Sequence, residues 1–393
     1  MKRRIGHWLG SDRSPGRPET DRDALTAARE EVERCRHPGR IDPESLRALQ
    51  SALHWLGREL AEAGRGEEAL TAIDESIAIQ RRLTGRDPEV YLSVGAMPDP
   101  DSFLGELSTT LQNRAVCQRD LGRADAALES ADEALAIRRR LAASHARYQP
   151  WLATSLSMRG ELLQRLERLP EALAALEEAV AIRRRLLRSD SGQLPELARL
   201  LNLLGVVLSD AERWTEALAA HEEAVAIRRQ LTGSEPDSLR DLAFWLGVMS
   251  VPLFHLDRFA DAASAQAEAI SIERELVRSG AVELRSQLAV DLDSLSYLLK
   301  KANRQGDCVS LLREALAIRR EQAMEYPAAT NLLEVADALT QLGWALLDAG
   351  RREDAAVAAS EAIESLAPLA DHDLVRHAEI LDSALDLRQE LRS

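Results

Sequence analysis

The residues of this 393-residue sequence that could carry chemistry fall into three groups. His221-Glu222-Glu223 begins like a helical zinc-hydrolase motif, in which two histidines four apart hold the metal and a glutamate beside them acts as base. Val225 stands where the second histidine is required, and a sister copy of the segment carries Leu176 in place of His221, so His221 reads as a packing residue. Asp371-His372-Asp373 with His377 offers oxygen and nitrogen ligands, but a polar helix start explains the same residues. The third group is arginine: Arg81-Arg82, Arg138 to Arg140, Arg183 to Arg185, Arg228-Arg229 and Arg319-Arg320. Placed at helix carboxyl ends, they complement the helix dipole. Stacked side by side, they would line one edge as a ladder open to anions.

No other catalytic pattern is present. The lysines are Lys2, Lys300 and Lys301, none with the glycines of a phosphate-binding loop, and neither G-x-G-x-x-G nor G-x-S-x-G occurs. Cys35, Cys117 and Cys308 are odd in number and far apart, which argues against a disulfide framework or a zinc knuckle. The sequence therefore implies no enzyme, no metal and no cofactor.

What positions these residues is a repeat. Glu171 to Leu186 reads EALAALEEAVAIRRRL, and 45 residues later Glu216 to Leu231 reads EALAAHEEAVAIRRQL. Looser copies begin at Glu68, Ala126, Asp261, Asp307 and Asp354. Each copy is the second helix, B, of a helical pair. The preceding helix, A, carries Leu53, Leu111, Leu156, Leu201, Leu246, Leu292 or Leu339, and four residues on a small residue: Gly57, Ala115, Gly160, Gly205, Ser250, Ser296 or Gly343. Helix B supplies Ala69, Ala127, Ala172, Ala217, Ala262, Cys308 or Ala355, and seven residues later another small residue. Small residues at these phases let two antiparallel helices approach closely, with Leu and Ile filling the sides. Cys308 is then a packing residue.

This pattern resembles the tetratricopeptide repeat family, over roughly residues 43 to 370. The family period is about 34 residues, whereas the helix B anchors here are spaced 58, 45, 45, 45, 46 and 47. The longer period, with EALAIRR endings, is similar to the long-helix variety seen in kinesin light chains and in many bacterial members. The resemblance implies an all-α, right-handed solenoid of about seven repeats over 41–370. A polar capping helix over 21–40, with Leu25, Ala28 and Val32 on one face, precedes them; a closing helix over 371–393, with Leu374, Ala378, Leu381 and Leu385 on one face, follows. Residues 1–20 read as a flexible basic tail. Asp42-Pro43-Glu44 is a strong helix start, Gly85 to Asp101 is an insertion, and Pro252 should kink its helix.

Charge narrows the partners. The net charge is −15, and with ten basic against seven acidic residues in positions 1–40, the rest carries −18. An acidic solenoid is a poor nucleic-acid binder, because affinity there comes mostly from neutralising phosphates. No run of about 18 apolar residues exists to span a membrane, and the amino terminus lacks a signal-peptide core, which sets a cytoplasmic expectation. The sparse lysine reads as GC-rich codon usage and hence a bacterial source.

Solenoids of this type bind partners along the concave surface lined by helix A. Equivalent positions in repeats one to four give a polar stretch with Arg58, Asn113, Arg119, Arg165, Arg199 and Asn202; repeats five to seven give Phe244, Phe254, Tyr297 and Trp344. A ligand for such a face combines an apolar anchor with acidic groups, and Ile5, Trp8 and Leu9 of the tail could occupy it. Arg114 and Arg159 fall at a phase that is leucine elsewhere and must find carboxylates or reach the groove. The expected function is a protein or peptide scaffold; a sensor that changes curvature on binding peptide is the alternative. The sequence leaves the oligomeric state open.

Overall fold

Alternating polar starts, apolar stripes and left-handed stops divide the chain into helices, most of which bury one side, while Leu194–Asp210 is buried all round from Leu200 to Ser209. The computed structural model describes residues 18–36, 42–84, 100–231, 233, 236–369 and 374–392. Sixteen α-helices and no strand occur among them. The tail residues Ile5, Trp8 and Leu9, most of the 85–101 insertion and the Asp371-His372-Asp373 triplet lie outside the described residues.

The contacts group these helices into two compact units, which meet in sequence between Ala211 and Glu212. Unit 1 holds α1 (Pro18–Cys35), α2 (Pro43–Glu62), α3 (Gly66–Thr84), α4 (Pro100–Asp120), α5 (Ala124–Ser144), α6 (Gln149–Arg165), α7 (Leu169–Leu187) and α8 (Leu194–Asp210). Unit 2 holds α9 (Trp214–Leu231), α10 (Pro236–His255), α11 (Phe259–Arg278), α12 (Arg285–Lys301), α13 (Cys308–Glu325), α14 (Ala329–Asp348), α15 (Arg352–Leu366) and α16 (Leu374–Glu390). Within each unit a helix packs on its neighbours in sequence, as a solenoid requires.

Every leucine and small residue of the repeat pattern for which burial was expected is inside. Leu53, Leu111, Leu156, Leu246, Leu292 and Leu339 are buried against Ala69, Ala127, Ala172, Ala262, Cys308 and Ala355. The small phase of helix A is obligatory where it faces helix B: a Cβ on Gly57 would meet Ile73 at 2.6 Å, and one on Gly160 would meet Leu176 at 2.6 Å. Cys308 is free and buried, its thiol donating to the Ser296 carbonyl at 3.4 Å.

Local chemistry ends and restarts the helices. Asp42 accepts from the Ser45 amide at 2.9 Å with Pro43 at the first helical position, as expected. Between helices A and B a residue at positive φ closes the turn: Gly64, Gly122 and Gly350, but also Glu167 (58°), Glu212 (59°), Asp257 (56°) and Asn303 (57°). The residue after it donates its amide five positions back, as in Arg65 to Leu60 and Arg168 to Leu163, the pattern that satisfies the last carbonyls of a helix. That arginine then pairs with an acid three residues on, in Arg65–Glu68, Arg168–Glu171 and Arg258–Asp261.

Helix α10 continues through Pro252 to His255. One expectation needs correction. In α16 the buried stripe is Ile380, Ala384 and Leu387; Ala378 is exposed and Leu381 and Leu385 are half-buried. The stripe is set by Leu387, which packs against Gly343 of α14. The amino-terminal helix runs from Pro18 to Cys35, with Ala28 and Val32 buried and Leu25 half-buried.

Candidate binding surfaces

The arginine clusters resolve into two jobs one residue apart. One phase of helix B carries an arginine that reaches the next helix B: Arg81–Glu133 and Arg139–Glu178 in unit 1, and Arg229–Glu268, Arg274–Glu314 and Arg320–Glu361 in unit 2, while Arg36, just after α1, pairs in the same way with Glu75. Within each unit this phase is therefore a line of inter-repeat ion pairs, with its anions built in. The residue before it turns inward, an arginine in four repeats. Arg138, Arg183 and Arg319 are buried, and Arg228 nearly so.

In unit 1 the helix A arginines also have partners. Arg119 of α4 sits between Asp120 at 2.9 Å and Glu161 of α6 at 3.2 Å, and Arg165 joins the same Glu161 at 3.2 Å. Burial alone would lower the Arg119 pKa, but Glu161 and Asp120 outweigh it and raise it. Arg58 pairs with Glu59 and Glu62, and Arg199 with Glu196. Arg114 finds Asp74 at 2.8 Å and Arg159 finds Asp132 at 2.7 Å, as a guanidinium at a leucine phase must. Asn113 is half-buried and Asn202 is buried at 4% exposure, so Asn202 faces packing rather than solvent.

Unit 2 presents a different face. Phe254 near the end of α10 and Tyr297 of α12 bring their ring centroids within 5.8 Å. Phe254 also meets Phe259 and His255 edge-on, and His255 stacks on Trp214 at 3.8 Å. Tyr297 is 52% exposed, with the Lys301 ammonium 5.5 Å from its ring centroid. Beside it a cleft of about 230 Å³ is lined by Asp293, Tyr297, Lys300, Trp344 and Asp348 among others. Lys300 bridges to Asp348 of α14 at 2.7 Å, and the Trp344 indole donates to Ser383 of α16 at 3.2 Å. Phe244 is half-buried in the amino-terminal half of α10.

A family model described as tetratricopeptide repeat matches residues 106–185 and 151–230, and a second of that description matches residues 49–89. Over those residues the chain is built of tetratricopeptide repeats. Among solved structures, this repeat protein is similar to that of BtubC (BKLC) from P. vanneervenii, at 20% identity and a TM-score of 0.51, over 66% of this chain and 92% of that one. It is also similar to the apo form of RapI, at 12% identity and a TM-score of 0.52, over 87% of this chain and 98% of that one. At such identities the likeness is one of fold. No curated protein matches the sequence significantly.

Of the candidate metal residues, His221 and His377 lie among the described ones. His221 is fully buried on α9. His377 Nε2 lies 3.0 Å from the Leu366 carbonyl and ties α16 to the preceding helix. Among the described residues no group of three His, Cys, Asp or Glu could hold a metal ion, and no helix is long and apolar enough to cross a membrane. The sequence pattern missed Lys300 and Asp348, which line the unit 2 cleft, and Lys301, which lies against the Tyr297 ring. Their signal was present, since Lys300 and Lys301 are the only lysines after Lys2.

Proposed function

We propose that this protein is a non-enzymatic scaffold that holds an extended peptide along the helix A faces of unit 2. The tetratricopeptide-repeat fold supports protein interaction in general. The narrower reading is carried by one observation: Phe254, Tyr297 and Trp344, from α10, α12 and α14, put aromatic surface on the helix A side, with half of Tyr297 open to solvent. Aromatic side chains gain most from covering by a partner, and rigid rings lose little entropy when they are covered. Lys301 beside Tyr297 favours a carboxylate next to the apolar anchor. The unit 1 arginines contribute less than their number suggests, because Glu161, Asp120, Glu59 and Glu196 already neutralise them.

Peptide display against the full chain tests this reading. Selected sequences should pair an aromatic or aliphatic residue with Asp or Glu. Tyr297→Ala should weaken the best of them at least about tenfold while the circular-dichroism spectrum stays helical, and Lys301→Gln should flatten the salt dependence of binding. Peptides that bind wild type and Tyr297→Ala equally well would remove unit 2 as the site.

A further inference from the structure

Unit 1 contains another cleft, of about 290 Å³, between α2, α4 and the corner where the Ala146–Tyr148 turn enters α6. Its wall is Trp151, 47% exposed and edge-on to Tyr148, with ring centroids 5.4 Å apart. Gly105 of α4 faces this pair. A Cβ there would touch both rings at 3.5 Å, so the glycine brings the aromatic wall against bare helix backbone.

The polar lining is rich in acceptors, although the hydroxyls of Tyr148, which accepts from Arg147 at 3.2 Å, and of Ser51 keep protons to donate. Thr109 donates its hydroxyl to the Gly105 carbonyl and Thr110 donates its hydroxyl to the Glu106 carbonyl, both at 3.0 Å. A threonine hydroxyl has a single proton, so only lone pairs remain for anything else. Thr110 Oγ1 lies 3.1 Å from His54 Nδ1 and, its proton already placed, accepts from Nδ1–H. That leaves His54 Nε2 as an acceptor. Burial, and then the charge of Arg58, lower the His54 pKa, which keeps the imidazole neutral. Gln50, only 3% exposed, donates its amide to Ser76 at 3.3 Å, while its Oε1 has no hydrogen-bond partner. Buried polar atoms are nearly always paired, and an unpaired one at a cleft marks where a donor belongs.

A cation is disfavoured as that donor. Behind the wall the Arg138 guanidinium, for which the described residues provide no carboxylate, donates to the Trp151 carbonyl at 3.1 Å. Arg47 lies 3.7 Å from Glu106, the one carboxylate of the lining. What fits is flat, neutral and equipped with an N–H. We infer that this cleft binds an indole, the side chain of a partner's tryptophan, with its ring against Trp151 and its N–H directed to the acceptors of Gln50 and His54.

The cleft lies wholly in unit 1 and stands independently of the unit 2 reading. Calorimetric titration of the full chain with 3-methylindole, 3-methylbenzothiophene and n-butylguanidinium tests it. Methylindole should bind saturably; methylbenzothiophene, the same shape without the N–H, should bind about tenfold more weakly, the worth of one buried hydrogen bond. Butylguanidinium should bind more weakly still. Gln50→Leu should bring the two ring ligands within about twofold of each other, the remainder of a lost donor site, and Tyr297→Ala in unit 2 should change nothing. Equal binding of the two ring ligands by wild type, tighter binding of the guanidinium, or no saturable binding of methylindole overturns the inference. If Gln50→Leu does not fold, the wild-type comparison decides alone.

Discussion

Units 1 and 2 solve the same problem differently. At one phase of helix B each places an arginine inside the fold, in the same sequence context of AIRR. In unit 1 neutral groups receive it: Arg138 donates to Ser108, Gln112, Ser155 and the Trp151 carbonyl at 2.8 to 3.3 Å, and Arg183 to Thr154 and Gln193. In unit 2 carboxylates receive it: Arg319 takes both oxygens of Asp293, and Arg228 takes Asp241 while lying 5.2 Å over the Trp245 ring. Burial lowers the Arg138 pKa to about 10 and also lowers that of Arg183. For Arg319 burial acts the same way, but Asp293 outweighs it and the pKa rises. Burial lowers the Arg228 pKa as well. Identical residues at identical repeat positions thus differ in what their removal would strand: dipoles in unit 1, an anion in unit 2.

Removing the arginine should give the largest contrast. Arg319→Met leaves Asp293, 18% exposed, without its cation and should cost about 3 to 5 kcal/mol locally. Arg138→Met leaves only neutral acceptors and should cost about 1 kcal/mol. Because a repeat array need not unfold in one step, native-state hydrogen exchange of the α12–α13 and α4–α6 amides is the appropriate measurement. Equal costs would erase the distinction between the units; recovery of most of the loss in Arg319→Met with Asp293→Leu would sharpen it.

At the next level the units should behave alike. Ala179 in unit 1 and Ala269 in unit 2 occupy one packing phase and are essentially unexposed. Ala179→Leu and Ala269→Leu should each overpack their repeat by about 1 to 3 kcal/mol, seen as lowered unfolding midpoints. A loss in one and not the other would mean that the phase is not equivalent across the chain.

The smallest effect lies in the turns and has the opposite sign. Glu167 in unit 1 and Asn303 in unit 2 adopt the left-handed conformation that elsewhere in the chain falls to glycine. Glu167→Gly should stabilise by about 1 kcal/mol and Asn303→Gly by less, since a short polar side chain tolerates this region. Thermal midpoints that fall in Glu167→Gly would show its side chain to be worth more than the strain.

Much of this was legible in the residues. The leucine and small-residue phases, the Asp42 helix start, the buried face of α1 and the need of Arg114 and Arg159 for carboxylates all follow from local periodicity and the cost of burying charge. The inner-edge assignment of the arginines was not legible. Arg138 and Arg139 are adjacent and chemically identical, and a rotation of about 100° per residue sends one into the core and the other to Glu178. The closing helix was misread for a related reason: its apolar residues permit two stripes, and only the presence of Gly343 opposite Leu387 selects one.

The sequence by itself determined the repeat, its helices and the leucine and small-residue phases that lie inside them, because those depend on spacings of three, four and seven along one chain. Tertiary structure alone decided which charges cancel and which clefts remain open. Arg119 meets Glu161 from 42 residues away, and Gln50, His54, Thr110 and Trp151 share a cleft although they come from three different helices. Such meetings depend on how neighbouring repeats are rotated against each other, which is set by the sum of many small packing contacts and is written in no single motif.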